Sequence, residues 1–252
     1  MRKIGLLSGK GGVGKTSTAI NLGAALNYYG KDVIIVEGNL TTPNVGLHLG
    51  VPTVPVNIHD VLKGKNKINE ALYRHSSGLQ FIPGSLSIND LTGMSLKRMS
   101  QVSDLDADYV LMDGAAGLGG EAMQVLDHCD DLMIVTNAEM PAITDALKTI
   151  KLAEEMNKNV MGVVVTRSKG DDLDVSIRNI EALLEKPVLA VIPEDDTMRE
   201  ALSLRDAVVH THPKSEAAKS YLKLGANLTG VAYVQEKPES WARKLWQLIW
   251  EI

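Results

Sequence analysis

The 252-residue sequence is poor in the features that mark secreted, metal-clustered or membrane-spanning proteins. It has one cysteine, Cys129, which excludes an internal disulfide and a multi-cysteine metal site. The N-terminus lacks the charged, apolar and small-residue succession of an export signal, so the expected address is the cytoplasm. The longest apolar stretches are short and interrupted, far below the roughly 20 residues that span a bilayer. Basic charge is scarce as well. With 26 lysines and arginines against 31 aspartates and glutamates, the formal charge of −5 offers no footprint for a polyphosphate backbone. That counts against DNA as a partner without excluding it. Aromatic residues are few, with a single phenylalanine, yet all three tryptophans fall within the last 12 residues.

What is present is an alternation of short apolar runs and helical stretches. Ile4 to Leu7, Val33 to Val36, Leu79 to Ile82, Tyr109 to Met112, Leu132 to Thr136, Met161 to Thr166 and Val188 to Ile192 read as strands. They lack polar alternation, as expected of strands covered by helices on both faces. Thr16 to Tyr29, Ile143 to Met156, Val175 to Leu184 and Ser215 to Leu224 read as helices. Repeated βαβ units of this kind predict an α/β fold of three layers, with a mostly parallel central sheet flanked by helices. Residues 1–226 are expected to form one domain, an α/β sheet of this size needing no second core. Asn227 to Glu239 loses helical periodicity and contains Gly230 and Pro238, so 227–239 reads as a linker to a separate element at 240–252.

Directly after the first strand comes Gly9-Lys10-Gly11-Gly12-Val13-Gly14-Lys15-Thr16, which satisfies G-x-x-x-x-G-K-[ST] in strand-loop-helix context. The glycines let backbone N–H groups converge on phosphate oxygens, and the following helix points its positive end at the same anion. Lys15 is placed to neutralise the β- and γ-phosphates, and the Thr16 hydroxyl to ligate Mg²⁺.

The second lysine of this loop, Lys10, resembles the K-G-G-x-G-K-[ST] box of the MinD/ParA family of deviant Walker-A ATPases. The resemblance implies a P-loop fold, ATP and Mg²⁺ as cofactors, and a homodimer in which Lys10 reaches the partner's phosphates. It extends along nearly the whole chain. Val36-Glu37-Gly38-Asn39-Leu40-Thr41-Thr42-Pro43-Asn44 is similar to the first switch of archaeal-type MinD proteins, with both family aspartates replaced. Glu37 keeps a carboxylate for a Mg²⁺-bound water, whereas Asn39 stands where the family aspartate activates the attacking water, and an amide cannot accept that proton. Asp113-Gly114-Ala115-Ala116-Gly117-Leu118 resembles the D-x-P-A-G-L second switch, which implies that Asp113 contacts Mg²⁺ and that Gly117 turns its backbone toward the γ-phosphate.

Thr136-Asn137-Ala138-Glu139 resembles the family's T-N-P-E, and with Asp145 it implies acids on the dimer face that hold Lys10 when no partner is present. Thr166-Arg167 and Ile192-Pro193-Glu194-Asp195 are similar to the segments that enclose adenine, and no guanine-reading N-K-x-D is present. The catalytic candidates are therefore Lys10, Lys15, Glu37 and Asn39, and the metal candidates Thr16, Glu37 and Asp113. Nucleotide contacts are assigned to Gly9 to Ser17, Gly117, Thr166, Arg167, Pro193 and Glu194.

At the end of the chain, Trp241, Leu245, Leu248, Ile249 and Ile252 fall on one helical face, widened by Trp246 and Trp250, with Arg243, Lys244, Gln247 and Glu251 opposite. This pattern suits a helix lying in the headgroup region of an anionic membrane, and its position matches the membrane-targeting helix of MinD proteins. The expected location is thus cytoplasmic, peripheral on the inner face of the cell membrane. The alternatives share the nucleotide chemistry: a regulatory protein that binds ATP and barely hydrolyses it, or a ParA-type partition protein that recruits a protein or DNA cargo. An iron-protein electron carrier needs two ligating cysteines per subunit, and this chain has one.

Overall fold

The computed structural model describes residues 1–233, so the tryptophan-rich stretch at 240–252 lies outside the described residues. Eight strands, β1 (Arg2–Ser8), β2 (Val33–Gly38), β3 (Tyr73–Arg74), β4 (Gln80–Ile82), β5 (Tyr109–Ala116), β6 (Asp131–Asn137), β7 (Asn159–Ser168) and β8 (Val188–Pro193), form one sheet. Their order is β3-β4-β2-β5-β1-β6-β7-β8, and every pairing is parallel except β3 with β4. The helices are α1 (Lys15–Tyr28), α2 (Val45–His48), α3 (Ile58–Leu62), α4 (Gly120–His128), α5 (Met140–Glu155), α6 (Ile177–Leu184), α7 (Thr197–Ser203), α8 (Val208–Thr211) and α9 (Glu216–Thr229). Among the described residues no helix is long and apolar enough to cross a membrane.

The unbroken apolar runs are explained by two cores. Along β2, Ile34 and Val36 enter the layer under α3, α4, α5 and α6, while Val33 and Ile35 enter the layer under α1, α8 and α9. Because successive strand side chains point to opposite faces, a strand covered on both sides must be apolar at every position. All seven predicted strands are present, most with longer ends. β3 was not read from the sequence, since two residues pairing antiparallel at the edge carry no pattern of their own. The short α2, α3, α7 and α8 escaped for the same reason.

One boundary is corrected. The stretch 227–229, expected to belong to the linker, completes α9, which ends at Thr229 because Gly230 caps it in the left-handed conformation at φ 71°. The helix persists there through packing: Leu228 joins the core beside α1, and its carbonyl accepts the Tyr109 hydroxyl at 3.2 Å.

Parallel strands place all their carboxyl ends on one edge of the sheet, where ligand crevices form in such folds. Ser8, Gly38, Asn137, Ser168 and Pro193 each end a strand on that edge, and Glu37 and Asp113 lie one and three residues short of it. The register also sets Glu37 directly beside Asp113 on neighbouring strands.

Candidate nucleotide site

The loop between β1 and α1 is shaped by Gly12 at φ 79° and Gly14 at φ 85°, conformations that side-chained residues rarely adopt. Gly14 is the residue at the helix start and no side chain caps it, so the first-turn N–H groups of α1 point into the loop. The Ser8 hydroxyl donates to the Lys10 carbonyl at 2.9 Å, and the Thr166 hydroxyl donates to the Val13 carbonyl at 2.5 Å, bracing the loop from both ends. Gly9 packs against α5 so closely that an added Cβ would lie 2.2 Å from the Asp145 carbonyl carbon and 2.3 Å from its oxygen. Helix backbone cannot yield as a side-chain tip can. Gly9→Ala is therefore expected to destabilise by about 3 kcal/mol, which for a domain of this size is roughly 6–12 °C in melting temperature. A melting curve within about 2 °C of wild type would refute that close packing.

Behind the loop three carboxylate and hydroxyl groups meet. Thr16 donates its hydroxyl to Asp113 Oδ2 at 2.5 Å, and Lys15 Nζ stands 3.9 Å from Asp113 Oδ1. Asp113 is fully buried, and Oδ1 accepts no hydrogen bond, the one such buried side-chain atom among the described residues. A buried orphan of this kind calls for a partner. An unpartnered carboxylate oxygen beside a hydroxyl is a hard-oxygen donor set that fits Mg²⁺. Glu37, also fully buried, is already engaged: Oε1 accepts the Asn39 N–H at 3.1 Å, and Oε2 accepts those of Asn44 at 2.7 Å and Val45 at 2.9 Å. Burial, then repulsion from Asp113, pushes the Glu37 carboxyl up to about 8, against the pull of those three amides. Burial raises Asp113 as well, opposed by Lys15 and the Thr16 hydroxyl.

Asn39 reaches this neighbourhood by its backbone only. Its side-chain amide donates to the Thr42 carbonyl at 2.7 Å and the Thr42 hydroxyl at 2.9 Å, so its hydrogen bonds close on its own loop. Gly117, in the left-handed region at φ 79°, donates its N–H to the Ser8 carbonyl at 2.8 Å rather than turning it toward the phosphate loop.

On the other flank a cleft of about 470 Å³ is lined by Lys10, Gly12, Val13, Asn137, Glu139, Arg167 and Glu194 among others. Arg167, at φ 53°, brings its guanidinium to 3.6 Å from Glu194, and the Glu194 N–H donates to Ser168 at 2.8 Å, which locks the 166–168 turn to the Pro193-Glu194 segment. Those two candidate base-binding segments therefore converge. Ser17 lies apart from this cleft, lining a smaller pocket with Ile20, Asn21 and His48. The expected hold on Lys10 is not found: Asp145 pairs with Lys148 at 3.0 Å, one α-helical turn along α5, and Lys10 is exposed with no ion pair among the described residues. A neighbour on the same helix outcompetes a loop lysine because it needs no ordering of the loop.

Sequence reading missed Glu121, whose carboxylate touches the loop after β2, because Gly119 and Gly120 interrupt any periodic signal for α4. An acid in a helix first turn was the only available clue.

Comparison with known proteins agrees with this geometry. The family model described as the CobQ/CobB/MinD/ParA nucleotide binding domain matches residues 4–207. Over 247 residues the chain is 32% identical to an uncharacterized ATP-binding protein of Methanocaldococcus jannaschii, covering 96% of this chain and 94% of that protein. The septum site-determining protein MinD of Bacillus subtilis is 29% identical over 238 residues, 89% of this chain and 88% of its own length. Among solved structures, MinD from Pyrococcus horikoshii complexed with Mg-ADP superposes with a TM-score of 0.86 at 31% identity, over 90% of this chain and 95% of that one. Phosphate loop, strand order and relatives agree, and the chain belongs to the CobQ/CobB/MinD/ParA family of nucleotide-binding proteins.

Proposed function

We propose that this protein is a MinD-like positioning ATPase that binds ATP with Mg²⁺, dimerises across the bound nucleotides, and rests reversibly on the inner face of the cell membrane while recruiting a protein partner. The observation that carries this reading is the loop itself, with Lys15 buried beside Asp113 and Lys10 exposed without an ion pair among the described residues. A lysine so placed has little to do for its own site, because Lys15 already faces the phosphates. It is available to a second site brought opposite, as an arginine finger is. Gly9 to Ser17 and Gly117 are assigned to the phosphates, and Thr166, Arg167, Pro193 and Glu194 to the base.

Thr16 and Asp113 would hold Mg²⁺, with Glu37 behind a coordinated water. Mg²⁺ bound there supplies charge neutralisation at the β- and γ-phosphate oxygens. Lys15 draws the same oxygens into line, and the buried site limits competing water. Hydrolysis is slow in this reading, because Asn39 cannot take a proton and Glu37 is committed to three backbone amides. Loss of a positioned general base costs about 10²- to 10⁴-fold. Asn39→Asp should then raise ATP turnover at least about tenfold, measured as phosphate release with Mg²⁺ and anionic vesicles. An unchanged rate would remove Asn39 from the water-activating position.

The closed hydrogen-bond loop of Asn39 on Thr42 also favours a second reading, a regulatory protein that switches on ATP binding with negligible turnover. The same assay separates them: vesicles stimulate turnover in a positioning ATPase and leave the regulator at the background rate.

A further inference from the structure

One carboxylate outside the nucleotide-contacting groups ties together the two loops that flank Asp113. Glu121, half-buried in the first turn of α4, accepts the Leu40 N–H on Oε2 at 2.9 Å and the Thr41 N–H on Oε1 at 3.1 Å. The Thr41 hydroxyl also donates to Oε1. Leu40 is held from the other side too, its carbonyl accepting from His59 Nε2 at 3.0 Å. The Ser85 N–H donates to His59 Nδ1 at 3.0 Å, so the ring carries its proton on Nε2 and is neutral. The backbone at 40–41 is thus gripped between α3 and α4. It is continuous with Asn39 on one side and with Asn44 and Val45, whose amides bind Glu37, on the other.

Between the end of β5 at Ala116 and Glu121, the connecting segment is anchored by the Gly117 N–H on the Ser8 carbonyl and by the Gly119 carbonyl, which accepts the Met123 N–H at 3.1 Å. A single N–H directed at Ser8 cannot also serve a phosphate oxygen, so any ligand that recruits it must turn the 117–119 segment. That segment contains Gly117 and Gly119, with Gly120 directly after it, and turns easily. Glu121 is the next residue in line, and its carboxylate is fastened to the other loop.

We propose that Glu121 is a positioning residue that couples the two loops, so that capture of the terminal phosphate by the Gly117 segment sets the order of residues 39–45. It acts through the Leu40 and Thr41 backbone. A carboxylate is required, because three donors converge on it and the amide of a glutamine would turn a donor toward them. The inference rests on the ATP-binding reading given above.

The test is residue-resolved amide hydrogen exchange at Leu40 and Thr41 on the full chain, with Mg-ADP and with a non-hydrolysable Mg-ATP analogue, for wild type, Glu121→Gln and Glu121→Ala. In wild type the exchange of both amides differs between the two nucleotides. In both variants they exchange roughly 10- to 100-fold faster, the range expected for loss of a charge-assisted hydrogen bond, and the difference between nucleotides disappears. ADP affinity stays within about threefold, and in an Asn39→Asp background kcat falls while KM holds, a split that general destabilisation does not produce. Exchange in Glu121→Gln that still responds to nucleotide as wild type does overturns the coupling alone. A wild-type protein that binds neither nucleotide overturns the coupling together with the ATPase reading.

Discussion

Lys10→Ala is expected to abolish dimerisation on Mg-ATP and to lower turnover by about 10³- to 10⁵-fold, the effect of losing a cation supplied in trans to a transferring phosphoryl group. The expectation follows from where the side chain stands. Lys10 is exposed at the mouth of a cleft it shares with Glu139 and Arg167, and Asp145, the acid expected to hold it, is paired with Lys148. No ion pair among the described residues uses the charge, while Lys15, buried against Asp113, is the lysine assigned to the phosphates in cis. ATP affinity of the monomer should therefore change little. Lys15→Ala, by contrast, should lose nucleotide binding altogether and leave Asp113 without a facing cation. Turnover is best compared in the Asn39→Asp background, where the starting rate leaves room to fall, and association by static light scattering with Mg-ATP. A monomer at high concentration in the unmutated protein, or an unchanged dimer in Lys10→Ala, would end the trans assignment.

Removal of residues 240–252 is expected to abolish sedimentation with anionic vesicles in Mg-ATP while leaving nucleotide affinity intact. These residues lie outside the described part of the chain, and their sequence pattern carries the expectation. Trp241, Leu245, Leu248, Ile249 and Ile252 share a face that can enter the headgroup region, and indoles prefer that depth. Arg243 and Lys244 add about 1 kcal/mol each near an anionic surface, less as salt rises. One helix of this length binds marginally, so the ADP form should stay in the supernatant. Two helices on one dimer act at high effective concentration, with avidity gains of about 10²- to 10⁴-fold, and the Mg-ATP form should pellet. Trp246→Glu combined with Ile249→Glu should match the truncation. If either variant unfolds or loses ATP affinity, the segment belongs to the core and the membrane reading fails.

These two expectations draw on different sources. The phosphate loop was legible because its chemistry is contiguous: eight residues from Gly9 to Thr16, a strand before and a helix after, specify an anion seat without reference to the rest of the chain. Asn39 was legible as a position and not as a conformation. Sequence order locates it after β2, but whether its amide faces the phosphates or Thr42 depends on the path of the 39–44 loop, which Glu37, Glu121 and His59 hold from three separate elements. Asp145 illustrates the same limit: the family resemblance implied that it could hold Lys10, and a lysine one helical turn away pairs with it instead.

By itself the sequence determined the α/β class, the seven longer strands and the phosphate loop. Burial on both faces of a parallel sheet forces unbroken apolar runs, and a glycine-rich turn before a helix has few other uses. Tertiary structure alone decided that Glu37 and Asp113 stand side by side, that Asp113 keeps one buried oxygen unpartnered beside Thr16, and that Glu121 fastens one loop to the other. The reason is physical. Strand register and loop closure are set by contacts between residues far apart in the chain, and no local periodicity encodes which buried carboxylate will find a donor and which will be left facing the site.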